Sequence, residues 1–234
     1  MFGAGDYYDA PYYLPDGALV VAADGGYDHA RALGVHVDIV VGDFDSSAEP
    51  RADIDAQTIA LPSEKDDPDL LSALKVGWKH GAREFHIYGG LGGRVDHTIS
   101  DIQQTAIVAV HGGIAYLHGD GRIVTSIHDC ALEFPAHAVP STQYVSVFSH
   151  SDVSDGVTET GLKYGLTNAR MGNLQVNGLS NEFVDSLPAR ISVEHGTLTV
   201  VFDGRCPIPA LMGAQVHGDL GDPSTAVTTA LVRR

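Results

Sequence analysis

The stretch VDIVVGDFDSS, residues 37–47, decides how this sequence is read. The apolar run Ile39, Val40, Val41 suits a short buried strand, and it stops at a glycine followed by two acids. In an extended chain, side chains two apart share a face with Cα atoms roughly 6.5 Å apart, so Asp43 and Asp45 would face one cation while Phe44 turns away. In isolation, such a pair is more often a solvated turn behind a buried strand. Its meaning depends on what surrounds it.

Upstream, ALVVAADGG (18–26) reads as a strand running into a glycine turn, and YDHARALG (27–34) as a short helix ended by Gly34. Downstream, EFHIYGG (84–90) is another strand, and DHTISDIQQTAIVAVHGG (96–113) a helix stopped by Gly112 and Gly113. This alternation predicts an α/β N-terminal domain over residues 1–120 with a mostly parallel sheet and crossover helices. In SEKDDPDLLSALKVGWKHGA (63–82), Asp67 is the expected N-cap, Pro68 the first helical residue and Asp69 an acid of the first turn. Leu70, Leu71, Leu74 and Trp78 share one face of that helix and belong in the core.

From about residue 120 the pattern becomes short alternating segments: RIVTSI, QYVSVFS and ARISVEHGTLTVVFD. They predict a smaller all-β sandwich domain over 121–205, with His195 and Gly196 placed for a tight hairpin turn. Residues 206–234 mix Gly, Pro and small side chains without steady periodicity, and are expected to form an unassigned, mobile tail. The opening MFGAG reads as the end of a strand whose apolar body is missing. Either the true start lies upstream, or the chain opens with a curtailed edge strand.

With 234 residues, 44% of them apolar, the chain can bury a sizeable core. Its 30 acidic and 14 basic side chains give a formal charge of -16, which excludes a general nucleic-acid or anionic-membrane surface. Cys130 and Cys206 form no close pair, no apolar run nears the roughly 20 residues a membrane span needs, and the first residues lack a secretory pattern. A cytoplasmic location is expected. The histidines show no metal-ligand spacing and read as packing or surface residues.

Four stretches end strands or begin helices: ADGG (23–26), GDFDS (42–46), KDDPD (65–69) and GGLGGRVDH (89–97). In an open α/β sheet the loops at the carboxyl ends of the strands share one edge, so these four can converge. Asp43, Asp45 and Asp69 supply the hard oxygen ligands that suit Mg²⁺, which leaves other positions to water and phosphates. Gly89, Gly90, Gly92 and Gly93 let backbone N–H groups approach an anion, Arg94 offers a planar fork, and Lys65 adds a second positive charge.

Together with GLKYGLTN (161–168) and GLSNE (178–182), these motifs resemble, in order, those of the thiamin pyrophosphokinases, from about residue 18 to 203. The resemblance implies Mg²⁺-dependent transfer of a pyrophosphoryl group from ATP to the hydroxyethyl oxygen of thiamin, giving thiamin diphosphate and AMP. It further implies a homodimer with its active sites between subunits. By the same matching, Asp43, Asp45 and Asp69 belong with the metal and phosphates, and Asp96 with the reacting end of thiamin; these four form the expected catalytic set. Asp24, Lys65, Gly92, Gly93 and Arg94 fall on the ATP side, while Ser180 and Asn181 hold the thiamin ring across the interface. Asp96 or Asp45 would accept the alcohol proton, with Asp96 preferred because a metal-bound carboxylate is a poorer base. Pro68 departs from the family's usual threonine. Two rival readings are a non-catalytic nucleotide- or thiamin-binding protein on the same fold, and a haloacid-dehalogenase-like phosphatase. In the phosphatase Asp43 would attack phosphorus and Asp45 act as acid and base, but GLSNE would be unexplained.

Overall fold

A computed structural model describes residues 1–8, 12–43 and 56–228. The apolar runs read as strands become β1 (Val21–Ala23) and β2 (Ile39–Gly42), every residue of both buried, as befits parallel strands covered on both faces. They pair in parallel, and β3 (Gln57–Ala60) extends them as a largely exposed edge. Between β1 and β2 lies α1 (Gly26–Ala32), after which Gly34 takes a left-handed φ of 70°.

Residues 1–3 fill the centre of this sheet rather than an edge. Phe2, fully buried, bridges β1 on one side and β4 (Glu84–Tyr88) on the other, both in parallel. Four main-chain bonds hold it there: Phe2 N to Val21 O at 3.0 Å, Ala23 N to Phe2 O at 2.8 Å, Gly3 N to Tyr88 O at 2.7 Å and Tyr88 N to Met1 O at 3.0 Å.

Helix α2 (Asp69–Lys79) begins one residue later than expected. Pro68 is its N-cap and no side chain caps it, because Asp67 is engaged elsewhere. Its buried face carries Leu70, Leu74 and Trp78, which meet Phe85 and Ile87 of β4 in one core cluster. Next come α3 (Val95–Val110), β5 (Ile114–Gly119) and β6 (Arg122–His128). At the turn Asp120–Gly121, where both residues have positive φ, parallel pairing gives way to antiparallel.

The remaining strands are β7 (Ala131–Phe134), β8 (Tyr144–Ser149), β9 (Val153–Thr160), β10 (Leu166–Gly172), β11 (Asn181–Glu182), β12 (Ala189–Ser192), β13 (Thr197–Asp203) and β14 (Ala210–Met212). One sheet runs β4-β5-β6-β13-β8-β11, and a second runs β10-β9-β12-β7-β14. Their facing side chains, among them Phe134, Ile191, Val200 and Phe202, form one core that also buries the free thiols Cys130 and Cys206. The hairpin expected at His195–Gly196 is not one. β12 pairs with β7 and β9 while β13 pairs with β6 and β8, so Gly196, at φ 113°, carries the chain from one sheet to the other. Alternation shows which residues face the core, but not which sheet a strand joins.

The tail also takes a defined path. β14 pairs with β7, and Leu220 enters the core cluster of α2. No described helix is long and apolar enough to cross a membrane.

Candidate functional site

The chain leaving residues 1–3 turns toward β1, whereas that leaving β4 turns toward β5, so a topological switch lies between them. Ligand crevices form outside strand ends at such a switch. A cleft of about 730 Å³ opens there, walled by residues 3–6, Asp24, Pro68, Asp69, the 89–94 turn and the first turns of α3.

Of the residues expected at the site, Asp24, Asp69, Gly92, Gly93, Arg94 and Asp96 line this cleft. Asp24 follows β1 directly, 9% exposed and at φ 45°, with its N–H bonded to Val41 O. Asp43 follows β2 directly, and a β carbon on Gly42 would lie 3.1 Å from Asp24 Cα, so these two strand ends touch. Lys65, its side chain only 5% exposed, sets Nζ 2.7 Å from Asp69 Oδ1. At that distance the ammonium is a close ion-pair partner of the carboxylate. Asp45 lies outside the described residues. Among those described, no three His, Cys, Asp or Glu side chains gather as a metal cage.

The glycine turn is shaped for close approach. Gly92 and Gly93 hold φ of 88° and 63°, and a β carbon on Gly92 would overlap the Tyr8 hydroxyl and come within 3.0 Å of Asp6 Oδ2. Arg94 caps α3 with extended backbone, but its guanidinium grips Asp96, Nε to Oδ1 at 3.1 Å and Nη2 to Oδ2 at 2.6 Å. This fork holds the Asp96 carboxyl below the usual carboxylate range. Both side chains are exposed, so a phosphate can compete for the arginine.

Ser180 and Asn181 lie outside this cleft, against β8 and the loop after β9. Ser180, at φ 59°, donates its N–H to Ser146 Oγ. Asn181 is buried and internally committed: its amide donates to Glu159 Oε2 and Tyr164 O, while Oδ1 accepts from Tyr164 N and Glu182 N. It shapes the loop within its own chain.

Two acids of the cleft were absent from the sequence reading. Asp6 follows residues 1–3, and treating those as a central strand would have placed it with the other strand-end acids. Asp101 stands one helical turn beyond His97 on α3; burial pushes its carboxyl up to about 7, opposed by the Gln104 amide 3.0 Å from Oδ1. Its i+4 spacing from the motif's last residue was the available signal.

Two family models match in chain order. Residues 11–116 match the one described as thiamin pyrophosphokinase, catalytic domain, and residues 132–198 that of the vitamin B1 binding domain. Among solved structures, a thiamin pyrophosphokinase family protein from Enterococcus faecalis is 24% identical with a TM-score of 0.72, covering 86% of this chain and 96% of its own. Thiamine pyrophosphokinase from Bacillus subtilis is 22% identical at TM-score 0.70, with 82% of this chain and 90% of that one covered. The Candida albicans thiamin pyrophosphokinase is 16% identical at 0.68, covering 79% and 81%. At these identities the likeness establishes the fold alone. Comparison with curated protein sequences found no match.

Proposed function

This chain belongs to the thiamin pyrophosphokinase family, and from that premise we propose that it transfers the pyrophosphoryl group of ATP to the hydroxyethyl oxygen of thiamin, with Mg²⁺, releasing AMP. The observation that carries the reading is the convergence of the glycine turn, Arg94 and Asp69 on one cleft at the sheet's switch point, with Lys65 Nζ 2.7 Å from Asp69 Oδ1 behind it.

The donor set suits a hard divalent cation. Asp69 offers a carboxylate in the cleft, Asp43 follows β2 directly, and Asp45, two positions on in the sequence, would add the same chemistry. When bound, the cation would neutralise charge on the phosphate oxygens. The protein's own part is positioning. Backbone amides of the 89–93 turn and the Arg94 fork would hold phosphates, with Lys65 offsetting charge that develops as the bond to the leaving group breaks. Phosphate capture by Arg94 would release Asp96 to orient the alcohol.

The alcohol proton needs an acceptor. Asp96, expected in that role, has its carboxyl depressed by Arg94, whereas Asp101 in the same cleft is poised at about 7, near the optimum for a base working at neutral pH. We therefore assign proton acceptance to Asp101 and alcohol positioning to Asp96.

The distance of GLSNE from the cleft within one chain supports a homodimer in which a second copy completes the site. Leu174, Val176 and Leu179, beside Ser180, are 95%, 77% and 63% exposed, an apolar surface that invites cover. The deciding assay mixes protein, ATP, Mg²⁺ and thiamin, and follows both products. AMP and thiamin diphosphate should form in equal amounts; ADP or free phosphate in place of AMP would overturn the reaction class.

A further inference from the structure

The middle of the KDDPD stretch faces away from the cleft and is held by the far end of the chain. Asp67 Oδ2 accepts from Lys75 Nζ at 2.6 Å and from the Ser224 N–H at 2.7 Å. Asp66 donates its N–H to Ala226 O at 3.1 Å, and its Oδ1 accepts from the Thr228 N–H at 2.8 Å. The segment that reaches them is anchored along its whole course. At Gly112, φ 82°, the backbone passes so close to Gln215 that any β carbon would overlap its carbonyl. The His217 N–H then bonds to His111 O at 3.0 Å, Leu220 packs with Leu70, Leu74 and Trp78, and Asp222 pairs with Lys79.

We propose that residues 215–228 form a strap that positions the Lys65–Asp69 pair, with Asp67 as a positioning residue at the joint. The reasoning is local. Lys65 immediately precedes the two anchored acids, and Asp69 follows them across Pro68, so fixing residues 66 and 67 fixes both ends of the pair whose acid lines the cleft. Asp67 suits the joint because its side chain is only 11% exposed and meets one cation and one N–H at a single oxygen, a charge-assisted arrangement stronger than a neutral bond. The Asp66 N–H bond to Ala226 O and the Thr228 N–H bond to Asp66 Oδ1 stop the loop from rotating about that point. The chain's C-terminal segment thereby sets the place of an acid and a lysine more than 150 residues earlier. For its kinetic consequence the proposal rests on the pyrophosphoryl-transfer reading.

Two measurements test it on the full chain. The first is hydrogen exchange of amides 64–69 in protein free of metal and nucleotide, for Asp67→Ala, Asp67→Asn and Thr228→Pro, the last removing one donor from an exposed position. Asp67→Ala and Thr228→Pro should speed exchange there about tenfold, as expected for losing one or two such bonds, while sandwich amides stay unchanged. Asp67→Asn, which keeps an oxygen for the Ser224 N–H, should fall between wild type and Asp67→Ala. The second is steady-state kinetics: Asp67→Ala should raise the Mg²⁺ needed for half-maximal rate several-fold and leave KM for thiamin unchanged. Unchanged exchange in both Asp67→Ala and Thr228→Pro would overturn the strap. Faster local exchange with unaltered Mg²⁺ dependence would overturn the positioning role. If the wild-type chain makes no thiamin diphosphate, the functional reading fails by itself and the exchange arm alone decides the strap.

Discussion

At the scale of single residues, the cleft divides its acids by environment. Asp69, beside Lys65, is the acid we propose for the metal and phosphates, so Asp69→Asn should lower kcat by about 10²–10³-fold while the circular dichroism spectrum stays that of wild type. Near-normal turnover would remove Asp69 from the metal and phosphate set; the same experiment on Asp45 tests its membership. Asp101 behaves oppositely. Its carboxyl, raised by burial to about 7, favours the folded state while protonated, and that contribution is lost as pH rises through about 7. Thermal melts of Asp101→Asn should match wild type near pH 4 and exceed it at pH 8. The rate profile should move as well: the wild-type acidic limb should fall at about 7 and the Asn variant should lose it. A limb unchanged in the variant would return proton acceptance to Asp96. Asp69 was legible in sequence because it sits in a motif; Asp101 offered only its i+4 spacing from His97, since the desolvation that sets it apart belongs to the packed fold.

At the scale of elements, the glycine turn before α3 leaves no room for a side chain at Gly92. An L-residue at Gly92 must hold φ 88°, which costs about 1–2 kcal/mol, and must displace the Tyr8 hydroxyl. Gly92→Ala should therefore lower Tm by several degrees and raise KM for ATP more than KM for thiamin. Equal effects on both substrates would separate the turn from the nucleotide side. The turn's presence was plain from its glycines, whereas its lid, Asp6 and Tyr8, came from a stretch whose strand had to be recognised by main-chain pairing. The α2 start shows the same limit. Asp, Pro and acid spacing located it within a residue, but Asp67 was taken for a cap because its real partners, Lys75 and Ser224, are respectively on the helix and 157 positions away.

At the scale of the whole molecule, residues 1–3 join β1 to β4, and β6 extends β5 into the strands of the sandwich, so relative placement is fixed by main-chain pairing. Among the described residues, Leu174, Val176 and Leu179 stay exposed within one chain. If they form the dimer contact we propose, Leu179→Asp should sediment as a monomer at micromolar concentration and lose activity, because an unpaired charge opposes apolar burial. A variant that stays dimeric and active would place the contact elsewhere.

The sequence by itself determined the change from an α/β to an all-β pattern, the three helices, the acids and glycines at element ends, and the motif series that marks the family. Those features are written in short windows, through periodicity, turn residues and spacing. Tertiary structure alone decided that three N-terminal residues occupy the sheet's centre, that β12 and β13 part to different sheets, that Asn181 spends its polar atoms internally, and that the tail grips residues 66 and 67. Each of these depends on which distant group satisfies a buried strand edge, amide or carboxylate. Partners of that kind are chosen by the packed fold, not by the neighbouring sequence.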